Sequence, residues 1–400
     1  MSIFLILLIT VVSLIVYLLN CIRNHYKYWQ NLDIGCDEPS WIFGSFKGAV
    51  TERTFFEIFQ NYYYKYKNVG PFAGFYWFYR TAVFVTDVSL IKQILIKDFN
   101  KFSDRGMFVN EKDDPLSGHL FNLEGKKWRE LRSKLSPTFT SGKMKYMFPV
   151  VVKVAHEFVQ AFDKLVQTDC KVEIRDIVSR YTTDVIGSCA FGLECHSLTD
   201  PHAKFHVMSK RALLENHLGN FGVAFRFSFP KLAARLRMRD TVHEIEDFFM
   251  GIVKATVKYR EENQVKRSDF MNLLLELKNN KIMKDESGNA NTNLSLNEVA
   301  AQAFIFLVAG SDTSSVTMTF ALYELALNPD IQQKVREEVN RVLNQHNQEL
   351  SYECMSELKY LDQVLQGIVF IKMKKRKKKL KKKNRNLKLK CFFFRNVANV

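Results

Sequence analysis

Two long apolar runs dominate the pattern along the chain. The first, Ile3 to Leu19, is interrupted only by Thr10, Ser13 and Tyr17. The second begins near Ser295, where Ser295 and Glu298 have the spacing of a capping box, and ends at Asn328-Pro329, about nine turns later. Between them the spacing is mostly helical. Residues 52–100 predict an aromatic-rich helix carrying Phe55, Phe56, Phe59, Tyr62 and Tyr63, then two β-rich runs, Pro71–Phe78 and Thr81–Val85, that read as a hairpin. Ser89–Ile96 returns to helical periodicity. So does most of Trp128–Leu277, with breaks expected at Ser136-Pro137, Phe148-Pro149, Asp200-Pro201 and Phe229-Pro230. Lys278–Asn293 reads as a surface loop, and Asn328-Pro329-Asp330 as the cap and first turn of a further helix. No internal repeat is visible. The pattern predicts a mainly α protein with a minor β-sheet and an N-terminal membrane anchor.

Within the second run, Ser311, Asp312, Thr313, Ser314 and Ser315 set a polar cluster in a helix apolar enough to be buried, where desolvation is costly. Ala309 and Gly310 just before it add almost no bulk and would let a flat ligand lie against the backbone. A helix–helix crossing with small residues at the contact explains the same residues without a ligand. Periodicity leaves both readings open.

At 1.5 Å per residue the run Ile3–Leu19 covers roughly 25 Å, enough for a thin bilayer. Only Met1-Ser2 precedes it, and Arg23, His25 and Lys27 follow it. That pattern suits an uncleaved signal anchor in the endoplasmic reticulum, single-pass, with the body cytosolic. Fourteen of the sixteen net positive charges belong to residues 367–400, so the basicity describes a tail and not the body, and no nucleic-acid partner is expected. Seven scattered cysteines without a Cys-x-x-Cys pair suit free thiols in a reducing compartment. His202 and His206 have the i, i+4 spacing of a zinc pair, but no third ligand is placed beside them; no metal site is expected.

Ala309-Gly310-Ser311-Asp312-Thr313-Ser314 resembles the distal-helix pattern Ala/Gly-Gly-x-Asp/Glu-Thr-Thr/Ser of the cytochrome P450 heme-thiolate monooxygenases. Trp128-x-x-x-Arg132 matches a second signature of that family. Arg180–Gly192 (RYTTDVIGSCAFG) and Phe102-Ser103-Asp104-Arg105-Gly106 look like its insect microsomal, xenobiotic-metabolising branch. The resemblance runs in order from about residue 20 to Gln366. It divides the chain into an anchor at 1–22, a hinge at 23–50 of which Gly35–Gly44 is a worn version, a body at 51–366 and a basic tail at 367–400.

What the resemblance implies is a heme-dependent oxidation of lipophilic small molecules, driven by an NADPH-dependent cytochrome reductase at a membrane. Trp128 and Arg132, one turn apart on a helix, would offer an indole N–H and a guanidinium to a heme propionate. Arg105 would serve a second propionate. Ala309 and Gly310 would pack over the porphyrin, Thr313 would offer its hydroxyl beside the iron, and Asp312 would relay protons. Lys126, Lys127, Arg129 and Lys134 would form a basic docking face for the reductase, and Gly106–Phe121, Lys204–Phe229 and Phe304 would meet the substrate.

The resemblance stops at Gly367. The family continues into Glu-x-x-Arg, an aromatic/arginine segment and a Phe-x-x-Gly-x-Arg-x-Cys-x-Gly loop whose cysteine ligates the iron. This chain instead runs Gly367-Ile368-Val369-Phe370 into a Lys, Asn, Phe and Ile-rich tail. Cys391 lacks the flanking glycines, so it does not inherit the ligand role. The tail has the composition of translated A/T-rich non-coding sequence, and a Glu codon split after its first G and read into GT gives glycine. The expectation is a family fold lacking its C-terminal heme-ligand part, with a retained intron or a gene-model error as the source of the tail and a catalytically dead membrane-anchored fragment as the alternative to an active enzyme.

Overall fold

The computed structural model describes residues 2–49, 52–168, 171–215, 217–279, 293–367 and 388–390. Most of the predicted loop at Lys278–Asn293, and the tail apart from 388–390, lie outside the described residues. The chain divides into two compact units.

The first unit comprises residues 1–113, 122–125 and 216–240. It opens with the apolar helix Ser2–His25, which runs six residues past Leu19. The hairpin forms where expected: β1, Phe72–Trp77, pairs antiparallel with β2, Arg80–Val85, in the register Phe72↔Val85 to Trp77↔Arg80. Helix Phe55–Tyr66 starts at a capping box in which Thr54 and Glu57 satisfy each other's backbone N–H groups. Its buried face, Ile58, Tyr62 and Tyr66, packs with Phe46, Phe75 and Phe78. Phe46 is fully enclosed by rings at 4.9–5.8 Å from Phe55, Phe59, Phe75, Trp77 and Phe78. The segment 23–50 therefore contributes core residues in its own right. Helices Gly219–Ser228 and Pro230–Arg235 complete the unit, divided at Phe229-Pro230 as the sequence predicts.

The second unit comprises residues 114–121, 126–215 and 241–400. It is built around helix Leu296–Leu327, whose Ser295–Glu298 capping box forms as expected. Against it lie Ile174–Ile186, Lys204–Leu214, His243–Glu262 and Phe270–Asn279. Lys278 and Asn279 thus end a helix instead of opening a loop. One predicted break does not occur. Pro149 sits inside helix Ser141–Thr168, where it removes one backbone donor. Met147 on one side of it and Val154 and Phe162 on the other are buried on the helix's core face, and that packing holds the helix through the proline. Asn328 does cap helix Pro329–Gln345, but its side-chain amide bonds back to the Glu324 carbonyl (2.7 Å) and leaves the new helix's N–H groups alone. A short pair, β3 (Lys171–Glu173) with β4 (Lys388–Lys390), brings a piece of the tail beside this unit's backbone.

A buried ion pair fastens the back of this unit. Arg260 holds both oxygens of fully buried Asp269 (2.8 and 2.5 Å). The pair lies against Gly192, whose positive φ of 71° and lack of a side chain make room for the guanidinium.

Among the described residues, two helices are long and apolar enough to cross a membrane. The N-terminal one has mean hydropathy 2.8 and is wholly unburied, whereas Leu296–Leu327 has 1.3 and is half covered by its own unit, as a core helix is.

Candidate functional site

The polar cluster of the long helix is divided between two sides. Ser311, Ser315 and Thr319 are buried and share the inward face with Ala300, Phe304 and Leu307. Ser315 and Thr319 donate back along the helix, to the Asp312 and Ser315 carbonyls (3.0 and 2.7 Å). Ser311 Oγ lies 3.5 Å from both Thr182 and Thr183, and Thr183 Oγ1 lies 3.2 Å from His206 Nδ1. These side chains make a hydroxyl seam between helices Ile174–Ile186, Lys204–Leu214 and Leu296–Leu327. Gly310 belongs to the same contact: a Cβ on it would stand 2.8 Å from Ile186 Cδ1. For Gly310, Ser311 and Ser315 the helix-crossing reading therefore holds.

Ala309, Asp312, Thr313 and Ser314 are exposed on the other side. The Thr313 hydroxyl donates to the Ala309 carbonyl at 2.6 Å, so its proton is parked on the helix and its lone pairs face outward. A small residue, a hydroxyl and a carboxylate thus stand on the exposed side of a helix whose other side is buried.

Trp128 and Arg132 fall together on helix Gly125–Leu135, whose Leu131 and Leu135 point inward. Trp128 is half-buried; Arg132 is exposed, and its guanidinium makes no hydrogen bond or ion pair to any described residue. Glu130 interrupts the basic face by pairing with Lys126 (3.6 Å). Arg105 is exposed and belongs to the first unit; its neighbour Asp104 accepts the Gly125 N–H at 2.9 Å. Of the expected substrate contacts, Phe304 is buried against Phe249, with ring centroids 5.4 Å apart.

The residue types suit heme: a guanidinium and an indole one helical turn apart could hold a propionate, and Ala309 adds little bulk to its exposed helix face. An iron-ligating thiolate is another matter. The five described cysteines, Cys21, Cys36, Cys189, Cys195 and Cys354, are all free. Burial pushes the Cys189 thiol up to about 11 and Cys195 higher still, so both stay neutral in the cell. The possible zinc pair does not form either. The helix starts at Lys204, so exposed His202 lies outside it while His206 is buried. Among the described residues no group of three metal-ligating side chains occurs.

Thr182, Thr183 and His206 were not singled out by the sequence as partners of the long helix. A helical wheel of residues 300–319 carried the signal, since at about 100° per residue Ser311 and Ser315 fall with Phe304 and Leu307, opposite Ala309 and Thr313.

A mainly helical body built around one long helix, with an exposed hydroxyl and carboxylate on that helix, is compatible with the heme-thiolate oxidoreductases. Residues 35–367 match the family model Cytochrome P450, and the chain belongs to that family. It is 54% identical over 365 residues to "Cytochrome P450 6a9" of Drosophila melanogaster, covering 91% of this chain and 72% of the relative. It is 55% identical over 365 residues to "Probable cytochrome P450 6a21" of the same species, with the same shares. It is 44% identical over 345 residues to "Cytochrome P450 6A1" of Musca domestica, covering 86% of this chain and 67% of that one. The family implies heme as cofactor.

Proposed function

We propose that the protein is a heme-dependent monooxygenase of lipophilic small molecules, xenobiotics included, fed by an NADPH-dependent cytochrome reductase. Residues 1–22 anchor it in the endoplasmic reticulum membrane as a single pass, with 23–50 as the connection and the body 51–366 in the cytosol. The observation that carries this reading is the outward Ala309–Asp312–Thr313 face on the apolar helix at the centre of the second unit. Heme, when bound, supplies the iron at which dioxygen is activated. The protein's own side chains do the rest. Arg132 and Trp128 neutralise and orient one propionate, and Arg105 serves the second. Ala309 keeps the exposed helix surface low enough for the ring, while Gly310 serves the crossing against Ile186. Asp312 takes protons from solvent and passes them to the Thr313 hydroxyl, which can turn from the Ala309 carbonyl to donate outward.

Thr313→Ala, made in the protein carrying the family's C-terminal part, tests the proton step. The substitution should leave folding intact and lower product formed per NADPH consumed by about ten-fold or more, with peroxide rising to balance. Unchanged coupling would remove Thr313 from this role.

A second reading is favoured by the match to the family model ending at residue 367, where the sequence turns to the basic tail. In it, this chain as written has no thiolate ligand for the iron and is catalytically dead. Expressed with heme precursor, residues 20–400 should then lack the reduced-CO Soret band of a thiolate-ligated heme. Appearance of that band, and its loss on Cys391→Ser, would instead identify Cys391 as the ligand.

A further inference from the structure

The helix Ser2–His25 does not end in a free hinge. Directly after it, Tyr26 and Trp29 are buried against Tyr76 of β1. The Trp29 Nε1–H donates to the Phe75 carbonyl (3.2 Å), and its ring lies flat on the strand at Gly74, where any Cβ would overlap it. His25 stacks on Tyr79 with centroids 4.1 Å apart and places Nε2 2.6 Å from the Tyr79 carbonyl. The Tyr26 hydroxyl donates to the Trp41 carbonyl (3.1 Å), and Tyr26 meets Tyr76 edge-on at 5.0 Å. Five rings from the helix end and the hairpin therefore form a collar around the first residues after the helix. The backbone through it is hydrogen-bonded as well: Lys27 and Tyr28 donate to the Asn24 and His25 carbonyls, and Asn31 donates to Lys27.

We propose that this collar makes the membrane helix a rigid stalk of the first unit, and that it holds the Trp41–Ile42 turn in the lipid headgroup zone beside the stalk. Twenty-four helical residues reach about 36 Å, some 6 Å more than a hydrocarbon layer, which sets the collar among the headgroups. Tyr and Trp are favoured at that depth. Trp41 and Ile42 are 57% and 49% exposed, apolar, and tied to the helix end through the Tyr26–Trp41 bond. That continuity with the spanning helix makes lipid, and not another protein, their partner.

The inference rests on the membrane-anchor reading, so the full chain in microsomal membranes is first extracted with alkaline carbonate. Release into the supernatant would overturn the anchor itself; retention leaves the stalk to be tested. Trypsin is then added. Lys27 is exposed, but cleavage after it needs several residues to leave the collar, so its rate follows local opening. Cleavage there should be at least ten-fold slower than in a free peptide of residues 23–33, and Trp29→Ala should restore the peptide's rate while tryptic cleavage elsewhere in the body is unchanged. Wild-type cleavage at the peptide's rate overturns the stalk. Trp41→Phe, a surface change that cannot unfold the unit, tests the turn: in vesicles of phosphatidylcholine brominated near the top of the acyl chains, wild-type tryptophan emission should be quenched more than that of the variant. Equal quenching overturns the lipid contact of Trp41.

Discussion

Gly310 stands at the point where the helix-crossing and ligand readings of its helix meet, and a pair of substitutions separates them. A methyl group at Gly310 would sit 2.8 Å from Ile186 Cδ1 and 3.4 Å from its Cγ1. Gly310→Ala gains about 1 kcal/mol of helix propensity and incurs an overpacking cost of about 1–3 kcal/mol, for a net loss between roughly zero and 2 kcal/mol. Ile186→Val removes only the clashing methyl and costs about 1 kcal/mol by itself. In the double variant the close approach is gone, so the alanine keeps its propensity gain and the pair should lie within about 1 kcal/mol of wild type. The coupling energy is then on the order of 1–3 kcal/mol in the direction of rescue. Pulse proteolysis of the detergent-solubilised full chain across a urea series gives all four stabilities. If Gly310→Ala costs the same in both backgrounds, within about 0.3 kcal/mol, the glycine is not there for the crossing and the packing argument fails.

Asp269→Ala should destabilise the second unit by about 3–5 kcal/mol, since it strands the buried Arg260 guanidinium; a loss under 1 kcal/mol in the same assay would refute the clasp. His206 is held below the usual histidine range, chiefly by burial, so the unfolded chain takes up its proton first as pH falls. Stability from this residue is complete above about pH 6.5, the unfolded value, and declines as pH drops from there toward the lower folded value. His206→Gln should flatten the urea midpoint between pH 7.5 and 5, and an unchanged slope would refute the assignment. Cys189 and Cys195, pushed up by burial, should resist maleimide at pH 7.5 in the folded chain and react in 6 M urea (roughly the level that unfolds a small domain). Rapid labelling of Cys189 before unfolding would show that its thiol is open to solvent. Arg132→Leu in the protein with the family's C-terminal part should lower heme content several-fold with little change in stability, because the exposed guanidinium has no partner among the described residues; full heme retention would take Arg132 off the propionate.

Burial on one face is what made most of this fold legible. Helix Phe55–Tyr66, the β1–β2 hairpin and the long helix each repeat apolar residues at their own period, and each begins or ends within a few residues of its punctuation. Pro149 misled because a local rule was outweighed by tertiary packing on both sides of it. The collar could not be read at all: Trp29 and Tyr76 are 47 positions apart, and only the strand's approach shows why residue 74 has no side chain. The family signature was found by its letters, yet those letters carry two jobs. Ser311 and Ser315 spell the same polar cluster as Asp312 and Thr313, but one pair closes a helix crossing and the other faces out. Because the two sets alternate around one helix, fixing the crossing fixes which residues are presented. Any change to Ser311, Thr183 or Ile186 that rotates the helix by a few tens of degrees would carry Thr313 with it, so activity lost from the seam would mimic loss of the hydroxyl itself. Restoring the seam with a compensating partner, as Ile186→Val does for Gly310→Ala, is what tells the two apart.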